Sequence, residues 1–600
     1  MRFRALVTTT IALATLVAAT ATPVQAKPVE PPKEPVAVGY GGAVATVDAT
    51  ATAVGLDVLR RGGNAVDAAV AAAAALGVTE PFSAGIGGGG FLVYYDAKTR
   101  RVHTIDGREA APASMTETTF VDPATGQPYR FDEARISGLS VGVPGTLLTW
   151  RDALDRWGTR SLAQLLTPAA RVAEDGFTVD ETFAGQIAAN QAAFGQFSST
   201  SELYLPGGRP PAVGSTFRNP DLAETYRLIA RRGTDVFYRG EVGRDLVATV
   251  QRPPLAERPT GSWPYPVRPA SMTSADLAGY RARFPEPTRS EYRGLEVYGM
   301  STPSSGGTAV GEALNILERF DLRSMTPAQA MHHYLEASAL AFADRNRYVG
   351  DHTGQGVLRE LLDDAYAAER ACLVDASAAL PKPVAPGVPD GAYGGCQAAP
   401  AADVRDDRKS TTNLTVADRW GNVVEYTLTI EATGGNGMVV PGRGFLLNNE
   451  LTDFNFAPTQ GSAADPNLPA PGKRPRSSMS PTIVLADGRP FLAVGTPGGA
   501  TIITTVLQML VNRIDLGMSL PEALAAPRAS QRNGASTQAE PAFVAEYARG
   551  LPPGHAFSPT AEIGAATGIE FLAGGRLLAA AEPVRRGGGA AAVVGRWARP

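Results

Sequence analysis

The pair Thr411-Thr412 stands where the chain changes texture. From Pro381 to Ser410 the sequence is rich in proline, glycine, alanine and aspartate and reads as a linker. Thr411 to Val416 then alternates as a half-buried strand does, a turn follows at Asp418-Arg419-Trp420-Gly421-Asn422, and a second strand runs from Val423 to Ile430. A hydroxyl residue opening a strand behind a cleavable linker is the layout of an N-terminal nucleophile. A cut at Ser410-Thr411 gives one residue both an Oγ nucleophile and a base, its own α-amine, whose pKa of about 8 keeps part of it neutral near pH 7. β-Propensity alone also accounts for a threonine pair, and Thr412 competes as the first residue.

Four other stretches carry groups suited to an amino-acid ligand. Asp106-Gly107-Arg108-Glu109 ends a strand with an arginine able to grip a carboxylate through two parallel bonds. Asn448-Asn449-Glu450-Leu451-Thr452-Asp453 ends another with acids, Glu450 and Asp453, that suit an ammonium. Lys473 to Pro481 sets the hydroxyls of Ser477 and Ser478 beside cations, which suits a carboxylate. Gly498-Gly499, between a strand and a helix start, offers backbone N–H groups to an oxyanion. Singly, each is more often a turn or a solvated edge. Together they describe an α-amino acid head group held while its side-chain carbonyl is attacked.

The elements that must position these groups are legible in outline. Residues 27–40 are expected to lack structure, and an Ala-rich helical pattern covers Gly41 to Thr79 with Asn64 as an N-cap. Gly85 to Gly90 feeds a strand at Phe91–Tyr95; with no Lys-Ser/Thr after it, it reads as close backbone packing beneath a site and not as a nucleotide loop. Helical periodicity marks Leu147–Arg156, Leu162–Ala173, Leu222–Arg231, Ala328–Tyr348 and Ile502–Asn512. Arg252 to Pro269 reads as an exposed Pro-rich loop and Ala457 to Gly472 as a flexible one. Strands are expected from Thr411 to about Asn455 and at Thr482–Leu485 and Phe491–Gly495. Strands between helices predict a layered α/β/β/α body.

Composition narrows the function classes. A net charge of −4 over 600 residues argues against a nucleic-acid binder. With 2 cysteines and 5 histidines no zinc spacing exists, and the neighbours His332-His333 point different ways on a helix. Arg2 and Arg4, the apolar Ala5 to Ala19 and Val24-Gln25-Ala26 read as a secretory signal cleaved after Ala26, against the alternative of an uncleaved anchor. Export makes one disulfide between Cys372 and Cys396 the expected state, with a secreted or periplasmic product.

The chain resembles the γ-glutamyltransferases (γ-glutamyl transpeptidases) of the N-terminal-nucleophile hydrolase superfamily from about Val38 to its end. The resemblance rests on Gly62-Gly63-Asn64-Ala65-Val66-Asp67, Gly85 to Phe91, Asp106 to Glu109, Val143-Pro144-Gly145-Thr146, Pro303 to Gly307, Ala343 to Tyr348, Lys473 to Thr482 and Pro497-Gly498-Gly499. It implies a four-layer αββα sandwich cut into a large subunit (27–410) and a small one (411–600) that stay together. It makes Thr411 the nucleophile and Thr429 its supporting hydroxyl, with Gly498 and Gly499 as the oxyanion hole. Arg108, Ser477 and Ser478 become the α-carboxylate ligands, Glu450 and Asp453 the α-amino ligands, and Glu431 a further contact. It implies a small γ-glutamyl substrate such as glutathione, water or an amine as acceptor, and no cofactor, metal, nucleic-acid or membrane partner. An acylase of the same fold, acting on a glutaryl β-lactam or on poly-γ-glutamate, is the alternative. The chain departs from the family at Asn413, often histidine, and at Gly107, usually larger. The stretch between Asp453 and Ser477, Pro/Ala/Gly-rich with no aromatic beyond Phe454 and Phe456, predicts an open or mobile site.

Overall fold

The computed structural model describes residues 31–396 and 411–596. The proposed signal segment and the Ser410 side of the proposed cut lie outside the described residues. A 12-stranded sheet organises the molecule. Its strands are β1 (Val36–Thr46), β2 (Gly89–Asp96), β3 (Arg101–Asp106), β4 (Thr288–Tyr292), β5 (Leu295–Gly299), β6 (Thr411–Asp418), β7 (Val423–Thr429), β8 (Thr482–Ala486), β9 (Arg489–Gly495), β10 (Thr567–Leu572), β11 (Arg576–Ala581) and β12 (Ala590–Arg596). They lie in the order β3-β2-β7-β6-β1-β11-β10-β9-β8-β5-β4, with β12 also paired to β1.

The hydrogen-bonded ladder is continuous but doubles over, so that β9 and β10 lie across from β6 and β7. Side-chain parity shows the two layers. On β2, Leu92 and Tyr94 enter one apolar core, while Phe91, Val93 and Tyr95 enter the other. The first core is closed by α1 (Ala49–Arg60) and α2 (Ala65–Thr79), the second by α3 (Gly306–Leu317), α4 (Pro327–Tyr348) and α5 (Thr501–Ile514). Helix, sheet, sheet, helix is the expected sandwich.

α2 is buried along its whole length and starts at a capping box, with Asn64 and Asp67 each bonding the other's backbone N–H. The expectation for residues 27–46 is corrected here. Val36–Thr46 is a strand, held by β11 at its start and by β6 and β12 further on. Its alanines and glycines gave no strand periodicity; three neighbouring strands impose the extended form on it. The stretch after β7 is also not strand. From Ile430 to Asn449 it forms turns and bridges, with positive φ at Glu431, Gly434, Gly435, Gly437, Gly442 and Gly444.

The glycine run at 85–90 packs as expected. A Cβ on Gly88 would lie 2.1 Å from the carbonyl oxygen of Thr429. Cys372 and Cys396 are disulfide-bonded. Among the described residues no helix is long and apolar enough to cross a membrane.

Candidate active site

β6 and β7 pair antiparallel with Thr411 opposite Thr429. The two hydroxyl oxygens are 3.3 Å apart. Thr429 Oγ1 also accepts the N–H of Glu431 at 2.8 Å, which fixes its rotamer. Glu431 reaches that position with φ +78°, a left-handed conformation uncommon for a residue other than glycine and found in functional turns. Strand parity separates the two threonines: Thr411 lines the cavities described below, whereas Thr412 lines neither.

A tight inner cavity, with about 220 Å³ of empty space, is walled by Arg108, Thr411, Thr429, Glu431, Glu450, Asp453, Ser477, Ser478 and Gly499. Met479 and Ile502 complete it; sequence reasoning gave neither a role, since a single apolar residue carries no chemical signal. A wider outer cleft, with about 960 Å³ of empty space, shares Thr411 and includes Gly498 and Arg586. The structure therefore gathers every residue expected at the site around Thr411, from segments more than 300 positions apart.

Arg108 is the electrostatic centre. It is 1% exposed, and its guanidinium is paired to both Glu450 and Asp453. Its Nε donates to the carbonyl of Pro475 at 3.1 Å and its backbone N–H to Asp106 at 2.9 Å, so the fork is held from behind. Burial opposes its charge, but the two acids outweigh burial and push its pKa up. Glu109, next along the chain, is pushed well above the carboxylate range by burial and by the neighbouring Glu450, with Arg108 pulling only partly back. The larger residue usual at Gly107 has no room here, because a Cβ would meet Thr149 Oγ1 at 1.9 Å.

The serines are set by a second arginine. Arg345 donates to Ser478 Oγ at 2.7 Å and to Ser305 Oγ at 2.9 Å, and Ser305 in turn donates to the Ser477 carbonyl at 2.6 Å. Asn449 donates to Glu431. Asn413, the departure at the second position after Thr411, sits in a dry network between the sheet layers. It donates to Glu425 at 2.5 Å and to Thr567 at 2.9 Å, and accepts from Thr427 at 2.6 Å.

The segment between Asp453 and Ser477 is more ordered than its composition predicts. Asp465 accepts bonds from Asn455, from both the N–H and hydroxyl of Thr459, and from the N–H of Asn467. Asn467 then ties the loop to the site, donating to the Asp453 carbonyl at 2.6 Å and accepting from the Arg476 N–H at 2.8 Å. Spaced polar side chains such as these look like ordinary loop residues in a sequence.

One group among the described residues could hold a metal: His332, Glu336 and His555, with ligand atoms within 4.8 Å of one another. The Lys382 ammonium lies 2.7 Å from Glu336 and already neutralises it, so the group is a buried ion pair with two hydrogen-bonded imidazoles. His333 packs edge-on against the His332 ring, but its Nδ1 bonds the Gln329 carbonyl instead of joining the group.

Residues 51–593 match the family model described as gamma-glutamyltranspeptidase. The chain is 41% identical over 534 residues to the glutathione hydrolase proenzyme of Bacillus subtilis strain 168, covering 86% of each. It is 38% identical over 496 residues to that of Escherichia coli K12, covering 81% of this chain and 80% of the relative. Among solved structures, cephalosporin acylase from Bacillus halodurans superposes with a TM-score of 0.77 at 29% identity, over 96% of this chain and 99% of that one. A match across nearly the whole chain, on the N-terminal-nucleophile hydrolase fold, places this protein in the γ-glutamyltranspeptidase family.

Proposed function

We propose that the protein is a secreted, self-processing γ-glutamyl hydrolase and transferase, made as a precursor with a signal segment at 1–26 and matured by a cut at Ser410-Thr411. Thr411 Oγ attacks the γ-carbonyl of glutathione or a related γ-glutamyl compound while the new α-amine takes the hydroxyl proton. The Gly498 and Gly499 N–H groups receive the oxyanion. The leaving amine takes up the proton and departs, and a γ-glutamyl ester remains on Thr411. Water or an amine acceptor resolves the ester and returns the hydroxyl. Arg108, Ser477 and Ser478 hold the α-carboxylate; Glu450, Asp453 and Glu431 hold the α-ammonium.

The observation that carries this reading is the pairing of Arg108 with Glu450 and Asp453 inside the inner cavity. A zwitterionic head group replaces both halves of that pairing, its carboxylate taking the arginine and its ammonium the acids. A glutaryl group, as in the acylase reading, can meet the arginine but brings no ammonium to Glu450 and Asp453, and disturbing a buried charge pair on one side costs about 3–5 kcal/mol. γ-Glutamyl-p-nitroanilide should therefore exceed glutaryl-p-nitroanilide in kcat/KM by at least about 100-fold; equal rates favour the acylase. A denaturing gel tests maturation. Two bands are expected, the smaller starting Thr-Thr-Asn-Leu, and Thr411→Ala should give one inactive full-length band. A start at Thr412 would move the nucleophile, and a single wild-type band would sink the mechanism.

A further inference from the structure

Arg586 has no part in the chemistry above, yet it touches the proposed nucleophile. It lies in a short turn near the C-terminus with φ +55°, and its backbone N–H donates to Glu562 at 3.0 Å. Its Nη1 donates to the carbonyl oxygen of Thr411 at 2.7 Å. Its Nη2 donates to Glu80 at 2.9 Å and to Ser83 at 2.8 Å, just beyond the end of α2. The side chain is 18% exposed and faces the outer cleft with Thr411 and Gly498.

We propose that Arg586 is a positioning residue that also tunes the base of the reaction: its guanidinium fixes the first peptide of the mature small subunit and holds the Thr411 α-amine in its neutral form. The inference rests on the reading of Thr411 as the processed N-terminus. The amine shares its Cα with the carbonyl that Arg586 grips, which puts the nitrogen on the order of 5 Å from the guanidinium by standard backbone dimensions. A positive charge at that range disfavours protonation of the amine. The charged groups facing Thr411 from every side bear on the sign. Glu431, Glu450 and Asp453 line the inner cavity, where Arg108 pairs with the latter two. Glu562 lines the outer cleft, and Glu80 reaches Thr411 only through Arg586. Burial pushes Glu80 up and Arg586 pulls it partly back, and the guanidinium divides its two Nη groups between Glu80 and the Thr411 carbonyl. Without Arg586 the acids dominate, and the amine keeps its proton to higher pH.

The test is the acid limb of kcat/KM against pH for mature wild type, Arg586→Gln, Arg586→Lys and Glu80→Gln, with the small-subunit N-terminus sequenced in each. Arg586→Gln should move the limb up by about half a unit to one unit, and Arg586→Lys by less, because the charge stays. Glu80→Gln should move it down, since the guanidinium loses its screen; this arm decides the matter if Arg586→Gln fails to mature. A mature Arg586→Gln whose rate falls with the limb unmoved, or Glu80→Gln moving it upward, overturns the tuning while leaving Thr411 as nucleophile. A wild-type small subunit that does not begin at Thr411 overturns the nucleophile assignment itself, and the inference with it.

Discussion

Arg108→Gln separates a substrate grip from a structural counter-ion. In the structure Arg108 is 1% exposed and answers two acids that are themselves 1% and 4% exposed. Glutamine keeps a similar reach and two donors but removes the charge. Breaking a buried pair in this way costs about 3–5 kcal/mol, because the partners stay charged and dry. A chain of this length gains about 1.3 kcal/mol per kelvin of unfolding entropy, so the melting temperature should fall by about 2–4 °C. The deficit should depend on pH in a defined direction. Glu109 is already pushed up by burial and by Glu450, with Arg108 the main group holding it back, so its folded pKa rises further in the variant. An acid with a raised folded pKa gives stability that is fully present below its unfolded pKa and lost as pH climbs through the folded one. The deficit against wild type should therefore be smaller at pH 5 than at pH 8. If Arg108 also grips the donor's α-carboxylate, losing the charge-assisted fork costs about 2–5 kcal/mol of binding, or about 30-fold to a few thousand-fold in kcat/KM. The loss should fall mainly on KM, since the grip lies away from the carbonyl that reacts. Release of p-nitroaniline from γ-glutamyl-p-nitroanilide, measured on protein shown by gel to be matured, reads this directly. A matured variant with a lowered melting temperature and a KM within threefold of wild type would refute the substrate role and leave Arg108 as a counter-ion only.

Thr429→Ala removes the hydroxyl 3.3 Å from Thr411 Oγ1 and with it the acceptor of the Glu431 N–H, so kcat and the maturation rate should both fall about 10- to 100-fold with the fold retained by circular dichroism. Gly498→Ala places a Cβ 2.5 Å from Thr501 Oγ1 at φ +141°, so the turn must shift; if its N–H serves the oxyanion, kcat should drop about 100-fold or more with KM nearly unchanged. Asp465→Ala unties the loop that Asn467 fastens to the Asp453 carbonyl, so KM for the donor should rise several-fold in steady-state assays. Burial alone would raise the Asp465 pKa, but bonds from Asn467, Thr459 and Asn455 outweigh it and hold it low; its stabilisation is thus present above the unfolded value of about 3.9 and lost as pH falls through the folded one. The melting-temperature gap between wild type and Asp465→Ala should accordingly close on acidification below about pH 4.

What could be read in advance follows from how locally each feature is encoded. The α2 start was legible because Asn64 and Asp67 satisfy helix-end N–H groups within one turn, a requirement that any helix imposes. Arg108, Glu450, Asp453 and the glycines were legible because few residue types can meet an amino-acid head group or an oxyanion, and the family order of motifs then joined them. β1 was missed because its alanines and glycines carry no period of their own; only β11, β12 and β6, contributed by distant sequence, make it a strand. Arg586 was missed for a related reason. A surface-like Arg-Arg-Gly near a C-terminus has no sequence signal for its target, and the contact exists only because the doubled sheet and α2 bring residues 80, 411 and 586 together. The choice between Thr411 and Thr412 was open in the sequence, where both are hydroxyls at the head of one strand. Pairing settles which of them faces the acids and Arg108: adjacent strand residues point to opposite faces, and the register that puts Thr411 against Thr429 turns Thr412 away. A one-residue slip of β6 on β7 would exchange the two threonines, so the register, held along these same two strands by the bonds of Asn413 with Thr427 and Glu425, decides which hydroxyl faces Arg108 and the acids.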